Sequence, residues 1–150
     1  MTEEQLQTEL IRLQILYMED PKKHRIAYAI CCVNAAAVRI ENAEELYRRA
    51  LAIFTELQAS GADFTPAWIA GIHLDLGKLL HNDGRLDEAE YHLRLALDLY
   101  RQPMGHPRHR RLNRPQLKAA CFALAEVLQA RGNRAEANLL RQEALDIPEF

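Results

Sequence analysis

The sequence predicts an all-α fold, a right-handed α–α superhelix of about three helical hairpins with an extra N-terminal helix. Three observations carry that expectation. First, the segment LDLGKLLHNDGRLDEAEYHLRLALDLY (Leu74 to Tyr100) has two further copies, Ala29 to Phe54 and Phe122 to Ile147. The copies are offset by 46 residues (Ala43 to Ala89, Ala50 to Ala96) and by 48 (Ala89 to Ala137, Ala96 to Ala144), the range of self-similarity that marks stacked helical repeats. Second, small residues recur where two antiparallel helices must touch. Gly77 stands on the first helix of the middle copy with Ala89 and Ala96 on the second, and Cys31 and Ala125 keep the Gly77 position small elsewhere. Third, Pro21, Pro66 and Pro115 recur in step with the repeat and fit the first turn of a helix, where an N–H would be unsatisfied anyway.

The elements follow in order. The N-terminal helix, about 3–19, carries two apolar stripes: Leu6, Leu10, Leu13 and Tyr17 on one side, and Ile11, Ile15 and Met18 on another. One stripe suffices for packing on the first hairpin, so the helix reads as a cap embedded between neighbours or as a face for a second copy. The paired helices are expected at about 21–38 and 42–58, 66–82 and 86–101, and 114–131 and 134–147. Asp20 and Thr65 read as N-caps, with Asn113 close to a third. Gly84 and Gly132 supply the turns between partners, where a positive φ ends a helix at little cost. The first copy has Val38 at that point and Asn34 where Leu80 and Leu128 stand, which makes it the weakest. Residues 1–150 read as one domain, with repeats at about 21–58, 66–101 and 114–147. Each hairpin leaves an apolar stripe that only its neighbours can cover, so stacking makes the core.

With Gly77, Ala89, Ala96, Leu76 and Leu80 in place and Asp87-Glu88-Ala89-Glu90 opening the second helix, the middle copy resembles a tetratricopeptide (TPR) repeat. The third copy is similar through Leu124, Ala125, Leu128, Gly132, Ala137 and Ala144. The long spacing and the Gly105-His106-Pro107 that follows resemble the kinesin-light-chain-like variety. The family's aromatic near the start of the first helix is replaced by Ala27, His73 and Cys121, so no specialised subfamily function is implied. What the resemblance does imply is a scaffold that binds a protein or peptide without catalysis.

The first helices of stacked hairpins line the concave side, which is the expected groove. Its residues are Arg25, Tyr28 and Cys32 in the first repeat, Leu74, Lys78, His81 and Asn82 in the second, and Phe122, Glu126 and Gln129 in the third. Tyr28, Leu74 and Phe122 read as an apolar row able to anchor a peptide, beside the mixed row Cys32, Lys78 and Glu126. The paired Lys and Asn with which some TPR domains hold a terminal carboxylate are not visible. Lys78 and Glu126 read first as a solvated ion pair.

A net charge of −2 argues against a dedicated nucleic-acid or membrane binder. No signal-peptide pattern or long apolar run appears, and a cytoplasmic protein is expected. Cys31 and Cys121 fall on core-facing positions, and adjacent Cys31 and Cys32 suit a disulfide poorly. The six histidines do not converge in the sequence reading: His24, His73, His81, His92, His106 and His109 fall on different faces and loops. His106 and His109 alone are too few for a metal. No phosphate loop or nucleophile elbow is present, so neither an enzyme nor a cofactor is expected. The lopsided charge block lies between Asp98 and Glu126, with Arg101, Arg108, Arg110, Arg111, Arg114 and Lys118 and no acid. Arg108, Arg110, Arg111 and Arg114 are the candidate anion-binding set. The alternative reading is therefore an anion or RNA binder through residues 101–118, although no aromatics accompany the arginines. Homodimerisation through one end of the chain is a further expectation, from the double stripe of the first helix and the lack of a polar helix after the third repeat.

Overall fold

The computed structural model describes residues 1–39, 42–62, 65–102 and 113–148. Among them stand seven α-helices and no strand: α1 (Glu3–Glu19), α2 (Pro21–Ala37), α3 (Ala43–Ala59), α4 (Thr65–Asn82), α5 (Leu86–Arg101), α6 (Arg114–Ala130) and α7 (Arg134–Asp146). Every end lies within one residue of its expected place. The helices fall into two compact units, Met1–Thr65 and Pro66–Phe150.

In the first unit, α1 starts with a reciprocal cap. The Gln5 N–H donates to Thr2 Oγ1 at 3.1 Å, and the Thr2 N–H donates to Gln5 Oε1 at 2.8 Å. Asp20 serves two helices at once. Its N–H donates to the Leu16 carbonyl at 2.9 Å and closes α1, while its carboxylate accepts from the Lys23 N–H at 3.4 Å and opens α2 ahead of Pro21. Helix α1 lies against α2 through buried Leu10 and Leu13. Helix α2 lies against α3, whose buried Ala43, Leu46, Tyr47, Ala50, Ile53, Phe54 and Leu57 follow one helical stripe. Asn42 caps α3 by accepting from the Glu45 N–H at 3.3 Å.

The turn out of α2 departs from expectation. Val38 is the C-cap, and the left-handed residue is the next one, Arg39, at φ 56°. The other turns place glycine there: Gly61, Gly84 and Gly132 have φ of 91°, 77° and 87°. After each of these the following N–H returns to the helix, Ala62 to the Leu57 carbonyl at 3.2 Å, Arg85 to Leu80 at 2.9 Å and Asn133 to Leu128 at 2.8 Å. Asn34 is exposed where Leu80 and Leu128 are buried, as the weak first copy implies.

In the second unit the close approach expected at Gly77 is present. A Cβ added there would stand 2.6 Å from Leu93 Cγ and 3.4 Å from the Ala89 carbonyl oxygen, so only a hydrogen lets α5 sit this near α4. Ala89, Leu93 and Ala96 are fully buried. Helix α5 lies against α6 and α6 against α7. Ion pairs lace the outer surface. Arg94 reaches Glu136 through both guanidinium arms at 2.8 and 2.9 Å, Arg101 reaches Glu143 at 3.1 Å, and Arg131 reaches Glu90 at 3.1 Å. Asp87 and Glu90 are thus offset by Arg131, and Glu88 by Arg85.

Two expected caps are corrected. Thr65 is the first residue of α4, and its fully buried hydroxyl donates to the Ala62 carbonyl at 3.0 Å. Asn113 makes no side-chain cap because its backbone is already helical, at φ −90° and ψ −6°. Asn133, not singled out in the sequence, caps α7 by accepting from the Glu136 N–H at 3.3 Å.

Candidate functional site

The second unit holds a hollow of about 360 Å³ between α4 and α6. Helix α4 contributes Lys78, His81 and Asn82, at i, i+3 and i+4 on one face. Helix α6 contributes Ala119, Phe122, Ala123 and Glu126, again one helical face, and Leu93 of α5 closes the floor. Leu93 reaches the floor because Gly77 leaves it room. Phe122 is 40% exposed and the small Ala119 and Ala123 beside it keep the ring uncovered. The rim carries one cation and one anion. Lys78 and Glu126 form no ion pair among the described residues, so the expected bridge between them is absent from this geometry. An apolar floor with a few convergent polar groups, at this volume, has room for a side chain or two of a partner.

The hollow gathers five of the sequence-selected residues: Lys78, His81, Asn82, Phe122 and Glu126. Three others are corrected. Tyr28 is 3% exposed: its ring stacks on Tyr17 of α1 at 4.9 Å, and its hydroxyl accepts from Arg49 at 3.2 Å. Cys32 is fully buried, its thiol beside the Tyr28 hydroxyl. Leu74 is 6% exposed, because α4 is apolar around most of its circumference and Ile72, Leu76 and Leu80 are buried with it. None of the three presents a surface to a peptide. Arg25 is half-buried on α2, and Gln129 is exposed but accepts a hydrogen bond from Arg141 of α7. The sequence reading missed Leu93, Ala119 and Ala123. The 119, 122, 123, 126 spacing on α6 was a legible signal, whereas Leu93 follows from Gly77 only once the helices are paired.

A second hollow, about 280 Å³, belongs to the first unit and is lined by Gln14, Tyr17, Met18, Tyr28, Arg49, Ala52, Ile53 and Glu56. Arg49 is held in place there, bound to Tyr28 and to Glu45.

Two of the six histidines do converge, contrary to expectation. His73 Nδ1 and His92 Nδ1 stand 3.0 Å apart between α4 and α5, both residues are buried, and the rings stack at 5.2 Å. Burial, and then the neighbouring His92, push the His73 pKa down to about 4, so at neutral pH one ring donates and the other accepts. Nearby, burial raises the Asp75 carboxyl and pushes the Tyr100 hydroxyl up to about 12. Cys121 lies 3.7 Å from Glu143, and burial followed by that carboxylate pushes its thiol up to about 12. Such a thiol is a poor nucleophile at neutral pH. Among the described residues no three His, Cys, Asp or Glu side chains could together hold a metal ion. No helix among them is long and apolar enough to cross a membrane.

Of the anion-binding candidates, Arg108, Arg110 and Arg111 lie outside the described residues, as do His106 and His109. Arg114 is half-buried at the start of α6 and has an interaction partner. Arg101 is bound to Glu143.

Compared with protein-family models and with curated proteins, the chain matches no family model and shows no significant similarity to a curated protein.

Proposed function

We propose that this chain is a non-catalytic, TPR-like helical-repeat module that binds a partner protein or peptide in the hollow between α4 and α6. The repeated hairpin turns at Gly84 and Gly132 and the close approach at Gly77 support the repeat reading. One observation carries the binding reading: a half-exposed aromatic ring, Phe122, lies in a concave site beside Lys78 and Glu126, which form no ion pair among the described residues. The ring and the Leu93 floor take an apolar side chain, and Lys78, His81, Asn82 and Glu126 select the polar groups around it. A superhelical stack of three such hairpins, and a cytoplasmic location, belong to the same proposal. The three buried cysteines, present as thiols, suit a reducing compartment.

A random peptide library panned on the intact protein tests this. Selected peptides should lose at least tenfold in affinity for Phe122→Glu and keep it for Tyr91→Glu, a change on the exposed face of α5. Equal binding to both variants, with helicity unchanged, would reject the hollow as the site.

A further inference from the structure

The hollow between α4 and α6 and the histidine pair between α4 and α5 share one seam. Along it His73 meets His92, and Gly77 meets Leu93 and Ala89. His73 and Gly77 stand about one turn apart on α4, while His92 and Leu93 are neighbours on α5. Leu93 is therefore both the residue next to the pair and the floor of the hollow. It has little slack, because the space it fills is the one a Cβ at Gly77 would take, 2.6 Å from Leu93 Cγ. A separation of α4 from α5 at the pair reaches the floor within a turn.

The pair holds one bridging proton and no net charge. Its Nδ1 atoms are 3.0 Å apart and its rings stack at 5.2 Å, both residues being buried. One further proton leaves a charge in the seam, and a second aims N–H at N–H. Burial and then His92 are what lower His73, with no acid among the causes. The charged and titratable groups around the seam have other neighbours. Asp75 of α4 interacts with Lys78, and Tyr100 of α5 with Asp75. Tyr91 of α5 sets its ring across His92 at 5.2 Å. Cys121 of α6 lies beside Glu143 of α7, which Arg101 holds. His81 and Glu126 stand on the rim of the hollow.

We propose that the His73–His92 pair is an acid release for the hollow: its protonation parts α4 from α5, withdraws Leu93 from the floor and frees the bound segment. The release presupposes the binding proposed for the hollow. With the helices parted the rings reach water and take up a proton near pH 6.5, whereas the closed seam withholds it until about pH 4. Acid therefore favours the parted form, whose population relative to the closed form rises about twentyfold between pH 7 and pH 5.

Two measurements on the full chain test it, the first without any ligand. Methyl and imidazole NMR resonances are followed from about pH 7 to about pH 4.5. The Leu93 methyls should move with the midpoint of His73 while those of buried Leu140 on α7 stay native. An unmoved Leu93 beside a titrating His73 overturns the proposal, as does loss of Leu140 at the same midpoint, the mark of global unfolding. The second measurement uses an amidated peptide selected on the protein at about pH 7 from a library lacking Asp, Glu and His. Its dissociation constant should rise at least threefold at about pH 5. His81→Gln, Glu126→Gln and Asp75→Asn should keep that rise, and His73→Leu with His92→Leu should remove it, circular dichroism confirming each fold. Affinity independent of pH, or a rise that vanishes in His81→Gln, overturns the release while leaving the binding intact. If no peptide is selected, the binding reading fails and the NMR titration alone decides the coupling of the pair to Leu93.

Discussion

His73 and His92 share one hydrogen bond, Nδ1 to Nδ1 at 3.0 Å, in the buried seam between α4 and α5. Two neutral rings of opposite tautomer satisfy it. Two imidazolium rings would aim N–H at N–H.

The unfolded chain protonates His73 near pH 6.5, while the folded chain withholds the proton until about pH 4. Between those values the unfolded state binds more protons, so stability that is complete above pH 6.5 is lost as the pH falls toward 4. The loss from this group is roughly 3 kcal/mol. Urea unfolding followed by Trp68 fluorescence at pH 7, 5.5 and 4 should show it, and His73→Leu with His92→Leu should flatten the profile across that window. An equally steep profile in the double variant would assign the acid sensitivity elsewhere.

Gly77→Ala should destabilise the second unit by about 1–3 kcal/mol, because its Cβ would lie 2.6 Å from Leu93 Cγ. Combining it with Leu93→Ala should recover part of the loss attributable to the clash while opening a void of its own. A double-mutant cycle in urea measures the coupling, which should be opposite in sign to simple addition of two losses.

Arg39→Gly should stabilise the first unit by about 1 kcal/mol, since a left-handed φ of 56° strains a side chain that glycine lacks. Arg39→Ala should bring no such gain. The reverse experiment belongs to Gly84 and Gly132, where alanine should cost about 1 kcal/mol although nothing lies within 4 Å of the added Cβ. Thermal midpoints of the four variants separate backbone strain from lost side-chain contacts.

The pairs Arg94–Glu136 and Arg101–Glu143 are more than one-third exposed on both sides, so each should contribute under about 1 kcal/mol despite its two-armed geometry. Glu136→Gln and Glu143→Gln should each lower the urea midpoint slightly at about 20 mM salt. The difference from wild type should shrink at about 0.5 M salt.

Helix ends were legible because proline and glycine act locally: Pro21, Pro66 and Pro115 open helices and Gly84 and Gly132 close the turns, whatever surrounds them. Faces were harder. Helix α3 shows a clean stripe, and its buried side follows from spacing alone. Helix α2 has small or apolar residues nearly all round, so nothing local distinguishes the side of Tyr28 that stacks on Tyr17 from a side open to a ligand. Leu74 failed for the same reason on the apolar α4. The His73–His92 bond was hidden because it joins residues 19 apart whose pairing depends on the register of α4 on α5. Phe122 is 40% exposed, as polar Glu126 and Gln129 on the same helical face lead one to expect.

The hydrogen at Gly77 has one more consequence. Because Leu93 enters from α5 through the gap it leaves, the hollow's depth is governed from behind, by a side chain absent from the rim. Leu93→Val would deepen the cup and Leu93→Met would fill it, with Lys78, His81, Asn82, Phe122 and Glu126 untouched. Under the proposed binding role, the side chain that fits and the polar groups that surround it would then be set by separate residues, Leu93 from behind and Lys78, His81, Asn82 and Glu126 at the rim.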